Sequence, residues 1–125
     1  MTQIMPKQQI YDEFDIIYDE DNMSQENDND LQLMNNLSTN ITNLIIKFTI
    51  SFENINNNDI LYDIFKKYFQ NLPPTLENLI IDLHVVPYQY RIYPEQINKD
   101  KLYNCIKIPF NCDVNIRNIT VSYPY

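Results

Sequence analysis

His84 is the only histidine in the 125-residue chain, and Asp82 stands two residues before it in "NLIIDLHVV". In an extended strand that spacing puts both side chains on one face, where a carboxylate beside an imidazole can support general base chemistry. Thr49 and Ser122 fall in line with His84 on the same alternation, but no oxyanion hole accompanies them, and the reading favoured here is a surface strand histidine. Cys105 and Cys112 could complete a cysteine–histidine pair only if the fold carried them to His84, and no local motif of such a pair is present. Their spacing fits no zinc pattern, and one histidine does not complete a site, so no metal and no cofactor is expected. The remaining candidates are suited to recognition. Tyr88, Tyr90, Arg91 and Tyr93 in "PYQYRIYP" form an aromatic loop of the residue types enriched in binding hot spots. A row of Lys47, Thr49, Ser51, Asp82, His84 and Thr120 is expected on an exposed sheet face. Lys47, Thr49, Asp82, His84 and the loop residues are the candidate partner-binding set.

Three segments must position that row. In "NLIIKFTISF", Leu44, Ile46, Phe48, Ile50 and Phe52 alternate with polar or less buried positions; Leu79, Ile81, Leu83 and Val85 do the same in "NLIIDLHVV". "NITVSYPY" gives Ile119, Val121 and Tyr123. Period two over such runs predicts half-buried strands. Aligning "ITNLIIKF", "LENLIIDL" and "IRNITVSY" superposes Asn43, Asn78 and Asn118, at offsets of 35 and 40, and predicts an internal repeat. The reading stacks Leu44/Leu79/Ile119, Ile46/Ile81/Val121 and Phe48/Leu83/Tyr123 in one core, with the extra residues of the third unit in "FNCDVN". Between the first two strands, Ile60, Leu61, Ile64, Phe65, Tyr68 and Phe69 make one helical stripe; Asn58 or Asp59 can cap it, and Pro73 and Pro74 stop it. The second connector begins helically at Pro94, and its Ile97, Leu102, Tyr103 and Ile106 fit a helix less well. Strand, helix, strand in one phase implies parallel strands with right-handed crossovers.

Charge divides the chain. Residues 1–30 hold nine acids and one base, Lys7, which accounts for the whole net charge of −8; residues 31–125 hold eight of each. Residues 1–36 are therefore expected to be an acidic disordered tail, and residues 37–125 the folded repeat-like domain. Within the tail, Ile10, Phe14 and Ile17 fall at i, i+4, i+7 and would form a helical face if a partner ordered it. An acidic tail and the lack of a basic stripe disfavour nucleic acid and membrane surfaces as partners. No apolar run approaches a membrane span or a leader, so an intracellular, cytoplasmic protein with free thiols is expected. The chain has no Gly, which excludes a P-loop, a dinucleotide fingerprint and a nucleophile elbow, and leaves positive-φ turns to Asn or Asp.

"LPPTLENLIIDL", residues 72–83, resembles the leucine-rich-repeat proteins of amoebae and their large DNA viruses, including the FNIP type. Leu72, Pro73, Leu76, Leu79 and Ile81 stand where those repeats place Leu-Pro, Leu, Leu and an apolar strand residue; Leu37, Ile41, Leu44 and Ile46 follow the pattern without the proline. Those repeats are shorter and follow the strand with Gly and a Phe-Asn motif, which nothing after Leu83 matches, and residues 1–36 show no F-box. The resemblance implies a protein-binding solenoid, and host cytoplasm if the chain is viral. The expectation is an α/β, short leucine-rich-repeat-like solenoid with about three parallel strands and two crossover helices. Its expected role is a non-catalytic protein–protein interaction module, adaptor or scaffold. The alternative is a structural protein that forms homo-oligomers through an open sheet edge.

Overall fold

The alternating runs at Leu44–Phe52 and Leu79–Val85 form the two central strands of a parallel sheet. The computed structural model describes residues 11–19, 25–52, 59–87 and 94–123. Its elements run β1 (Asp12–Asp19), α1 (Gln25–Asn35), β2 (Asn43–Phe52), α2 (Ile60–Tyr68), β3 (Asn78–Pro87), a 3-10 turn (Pro94–Gln96), α3 (Lys99–Asn104) and β4 (Asp113–Val121). The strands lie in sequence order β1-β2-β3-β4, and every neighbouring pair is parallel. The protein is thus α/β, with a four-stranded parallel sheet and three α-helices.

One continuous core lies on one face of the sheet. Ile16, Ile46, Phe48, Ile50, Ile81, Leu83 and Ile116 point into it, and α1, α2 and α3 supply Met34, Phe65 and Leu102. Phe48 sits among the aromatic rings of α2 and its C-terminal turn, with centroid distances of 4.9 Å to Tyr68, 5.9 Å to Phe69 and 6.2 Å to Phe65. The apolar stripe of α2 therefore faces the middle of the sheet, where burial contributes most. Asp59 stands at the N-cap of α2 but makes no side-chain cap; its carboxylate instead takes Lys101 Nζ at 2.7 Å. Asn98 caps α3 in the usual manner, accepting from the Lys101 backbone N–H at 3.1 Å.

Two expectations are corrected. The segment expected to be a disordered tail contains a strand and a helix, so the sheet has four strands and three crossover helices rather than three and two. Of the expected helical face, Phe14 and Ile17 lie in a strand and point to opposite sides of it, and Ile10 lies outside the described residues. Phe14, Ile16 and Tyr18 alternate toward the core, opposite Ile46, Phe48 and Ile50, while Ile17 faces outward and is 57% exposed. The cause is the neighbour: β2 offers a free edge on which a short strand with three inward apolar residues satisfies its backbone, and Glu13, Asp15 and Asp19 lie on the opposite face. Residues 1–10 and 20–24 of that segment lie outside the described residues.

The second correction concerns register. Asn43 pairs with Asn78 as read, but Asn78 pairs with Asp113, not Asn118, so both offsets are 35. The core rows are Leu44/Leu79/Val114, Ile46/Ile81/Ile116 and Ile50/Val85/Val121, and Tyr123 lies beyond the strand. The extra residue is not in "FNCDVN" but in a bulge between the partners of Asp82 and His84. Asn118 sits in that bulge at φ 53°, and Asn111 turns the chain before β4 at φ 60°, which gives Asn the work that Gly does elsewhere. Replacing Asn118 by Gly is expected to hold or raise the melting temperature, because Gly has no Cβ penalty there. Asn118→Val is expected to cost about 1–2 kcal/mol. Thermal unfolding by circular dichroism checks both.

Side-chain bonds follow the same spacing. Asn78 Nδ2 donates to Asn43 Oδ1 at 2.8 Å, 35 residues away, and Asn71 Nδ2 to Asn35 Oδ1 at 2.9 Å, 36 away. Gln70 donates to the Cys105 carbonyl, Thr75 to the Ile41 carbonyl, and the Asn98 backbone N–H to Tyr62 Oη, at separations of 35, 34 and 36.

Candidate functional site

The face of the sheet opposite the helices carries side chains in rows set by the parallel register. One row is Asp15, Lys47, Asp82 and Arg117, one residue per strand. The next is Ile17, Thr49, His84 and Thr120. Rows form because parallel pairing at a constant offset puts equivalent residues side by side about 4.8 Å apart. The four strand residues of the candidate set, Lys47, Thr49, Asp82 and His84, are thereby brought together, and with Asn118 and Thr120 they line a shallow depression of about 300 Å³. Tyr88, Tyr90, Arg91 and Tyr93 lie outside the described residues.

Charge alternates along the first row: Asp15, Lys47, Asp82, Arg117. Lys47 Nζ reaches Glu13 Oε1 at 2.9 Å, and this hydrogen-bonded carboxylate holds the ammonium above its usual range. Arg117 Nε donates to Asp82 Oδ1 at 2.8 Å, and the same oxygen accepts from Asn118 Nδ2 at 3.2 Å. The Asp82 carboxylate raises the Arg117 guanidinium further. Both cations are open to solvent, so these pairs set side-chain geometry and contribute little to stability.

His84 Nε2 lies 2.7 Å from Ser122 Oγ. A serine–histidine contact acts as a nucleophile pair when a carboxylate orients the ring and donors await the oxyanion. The carboxylate nearest in sequence, Asp82, is held by Arg117 and Asn118 through Oδ1. Cys105 and Cys112 are free thiols, and burial pushes both above the ordinary thiol range, away from the reactive thiolate. Among the described residues, no group of three or more His, Cys, Asp or Glu is placed to hold a metal ion, and no helix is long and apolar enough to cross a membrane.

Arg117, Glu13 and Asp15 belong to this face and were not among the sequence candidates. Arg117 was legible in principle: it stands 35 residues after Asp82, as Asp82 stands 35 after Lys47. Aligning on Asn118 hid that relation by displacing β4 five residues. Glu13 and Asp15 were hidden because nothing in an acidic run separates a strand face from a solvated tail. No family model, no curated protein and no solved structure matches the chain.

Proposed function

We propose that the chain is a repeat-type protein–protein interaction module, a short leucine-rich-repeat-like solenoid that acts as adaptor or scaffold without catalysis. The observation that carries this reading is the sheet face that none of the described helices covers, on which the charged row Asp15, Lys47, Asp82 and Arg117 stands in register across all four strands. A stack of strand–helix units with all described helices on one side leaves the other side free to meet a partner, and the offset of 35 from β2 to β3, repeated from β3 into the first half of β4, supports such a stack. Hydrogen bonds at separations of 34–36, running through helix turns and loops as well as strands, support it too. The engagement of Asp82 by Arg117 and Asn118 favours binding over general base chemistry at His84.

The test places a photo-crosslinking residue at Thr49, on the open face, and in a second variant at Lys67, on the exposed side of α2. In the source cell the Thr49 variant is expected to form a discrete adduct that the Lys67 variant lacks, and Lys47→Glu in the same chain is expected to remove it. Equal adducts from both positions, or none from Thr49, would overturn the reading.

A further inference from the structure

The two ends of the sheet differ in charge and in the apolar surface they show. β1 holds Asp12, Glu13, Asp15 and Asp19 and no base. At the other end, α3 and β4 with their connection hold Lys99, Lys101, Lys107 and Arg117 against Asp100 and Asp113. The charge row crosses the sheet as acid, base, acid, base, so it ends on Arg117 at β4 and begins on Asp15 at β1. Apolar exposure is also placed at the ends. Leu37 and Leu72 are partly buried, but Ile108, in the equivalent turn of the last unit, is 44% exposed and Phe110 is 90% exposed. The β1 end shows Ile17 at 57% and Leu33 at 38%. Inside the stack each such turn is covered by the unit that follows, through bonds such as Asn71 to Asn35 and the Lys107 N–H to the Phe69 carbonyl. Among the described residues, no further strand–helix unit packs on the turn at Ile108–Phe110, and no strand pairs with the outer edge of β4 or of β1.

We propose that a second copy of this chain docks head-to-tail on the β4 end, its β1 lying parallel to β4 and its Asp15 facing Arg117. The added strand continues the alternation of charge that the sheet already keeps between its own strands. The bulge after Arg117 limits regular pairing to the first half of β4, Asp113–Arg117, so the contact is small and association depends on concentration. Charged edges deter indiscriminate strand pairing, and here they select one neighbour and one register. The contact joins two different surfaces, so it propagates into short open chains. This inference rests on the stacked-unit reading but uses the ends of the stack, leaving the face around Thr49 free.

The test follows the mass of the full 15.0 kDa chain by sedimentation velocity over a dilution series. The wild type is expected to grow with concentration in steps of one protomer. Asp15→Arg and Arg117→Asp are each expected to raise the concentration of half-association about tenfold or more, through like charges brought face to face. Mixing the two variants is expected to restore association, because each then offers the other an opposite charge. Far-UV circular dichroism verifies that each variant is folded; Asp15→Arg lies away from the Asp82–Arg117 pair and remains informative if Arg117→Asp does not fold. A wild type that stays monomeric throughout, a folded Asp15→Arg variant that associates as the wild type does, or a mixture of folded variants that fails to recover would overturn the proposal. Phe110→Ser, in the exposed turn at the β4 end and off the open face, is expected to weaken association likewise, and retention of the Thr49 adduct in that variant separates failure of this contact from failure of the binding face.

Discussion

A chain lacking residues 1–19 is expected to melt about ten degrees or more below the intact chain, at about 4 °C per kcal/mol for a domain of this size. The loss is the removal of β1. Ile16 is fully buried between strand and helix layers, and Phe14 and Tyr18 pack on the same core. Burying one such side chain contributes about 1.5–3 kcal/mol, so one complete and two partial burials sum to at least about 3 kcal/mol. Two further losses add to this. The Tyr18 ring meets Tyr68 edge-on at 6.2 Å, and Met34 of α1, which is 1% exposed, belongs to the core that β1 helps to cover. The opposing term is relief of repulsion among the acids of residues 1–19, which weakens as ionic strength rises. Repeating the melt in high salt separates the two: the deficit of the truncated chain should widen, because the intact chain, at net −8, gains more from screening than a chain that has lost four acids and one base. A melting temperature within two degrees of the intact chain would mean that β1 rests on the sheet without supporting it.

β1 also shows why part of the fold escaped a reading of the sequence. β2 and β3 announce themselves because nine or ten consecutive residues alternate and their inward positions are all apolar. In β1 only Phe14, Ile16 and Tyr18 carry the inward period, the adjacent Ile17 breaks it, and Ile10, Phe14 and Ile17 imitate a helix. A period of two with three members is too short to outweigh a dense run of acids, which looks the same on the open face of an edge strand as in a solvated tail. β4 failed for a different reason. Its existence was legible, but its register depended on which Asn of "VNIRNIT" matched Asn78, and none did: the equivalent residue is Asp113. Asn118 drew the alignment because a chain without Gly uses Asn both for side-chain ladders, as at Asn43 and Asn78, and for positive φ, as at Asn118. One residue type doing two physical jobs cannot be sorted by identity alone. The candidate face divides along the same line: Lys47, Thr49, Asp82 and His84 came from the legible strands, while Arg117 and Glu13, their ion-pair partners, came from the misread or unread ones.

Phe48→Ala is expected to produce the largest loss of any single substitution, about 3–5 kcal/mol, as for truncation of a fully enclosed aromatic. Phe48 is 1% exposed, lies in the second strand of four, and has ring neighbours on three sides. Tyr68 meets it at 72°, the edge-to-face arrangement in which the positive ring edge meets the negative face, and Phe65 stacks nearly parallel at 16°. Removing Phe48 thus opens a cavity between α2 and the sheet that flat, stiff rings cannot collapse to fill. Against a total stability of about 5–15 kcal/mol, that loss brings the folded state close to its limit. The measurement is urea unfolding followed by far-UV circular dichroism. The midpoint should fall steeply with the slope unchanged, the pattern of a lost packing interaction in an otherwise intact two-state domain. Phe48→Leu keeps most of the volume and is expected to cost about 1–2 kcal/mol. Lys47→Ala, one residue away on the solvent face, should leave the midpoint where it was. A double-mutant cycle with Tyr68→Leu isolates the ring contact, expected at about 0.5–1.5 kcal/mol. If Phe48→Ala and Lys47→Ala shift the midpoint equally, the helices do not pack on the face of β2 that carries Phe48, and the open face could not be the one that carries Thr49 and His84.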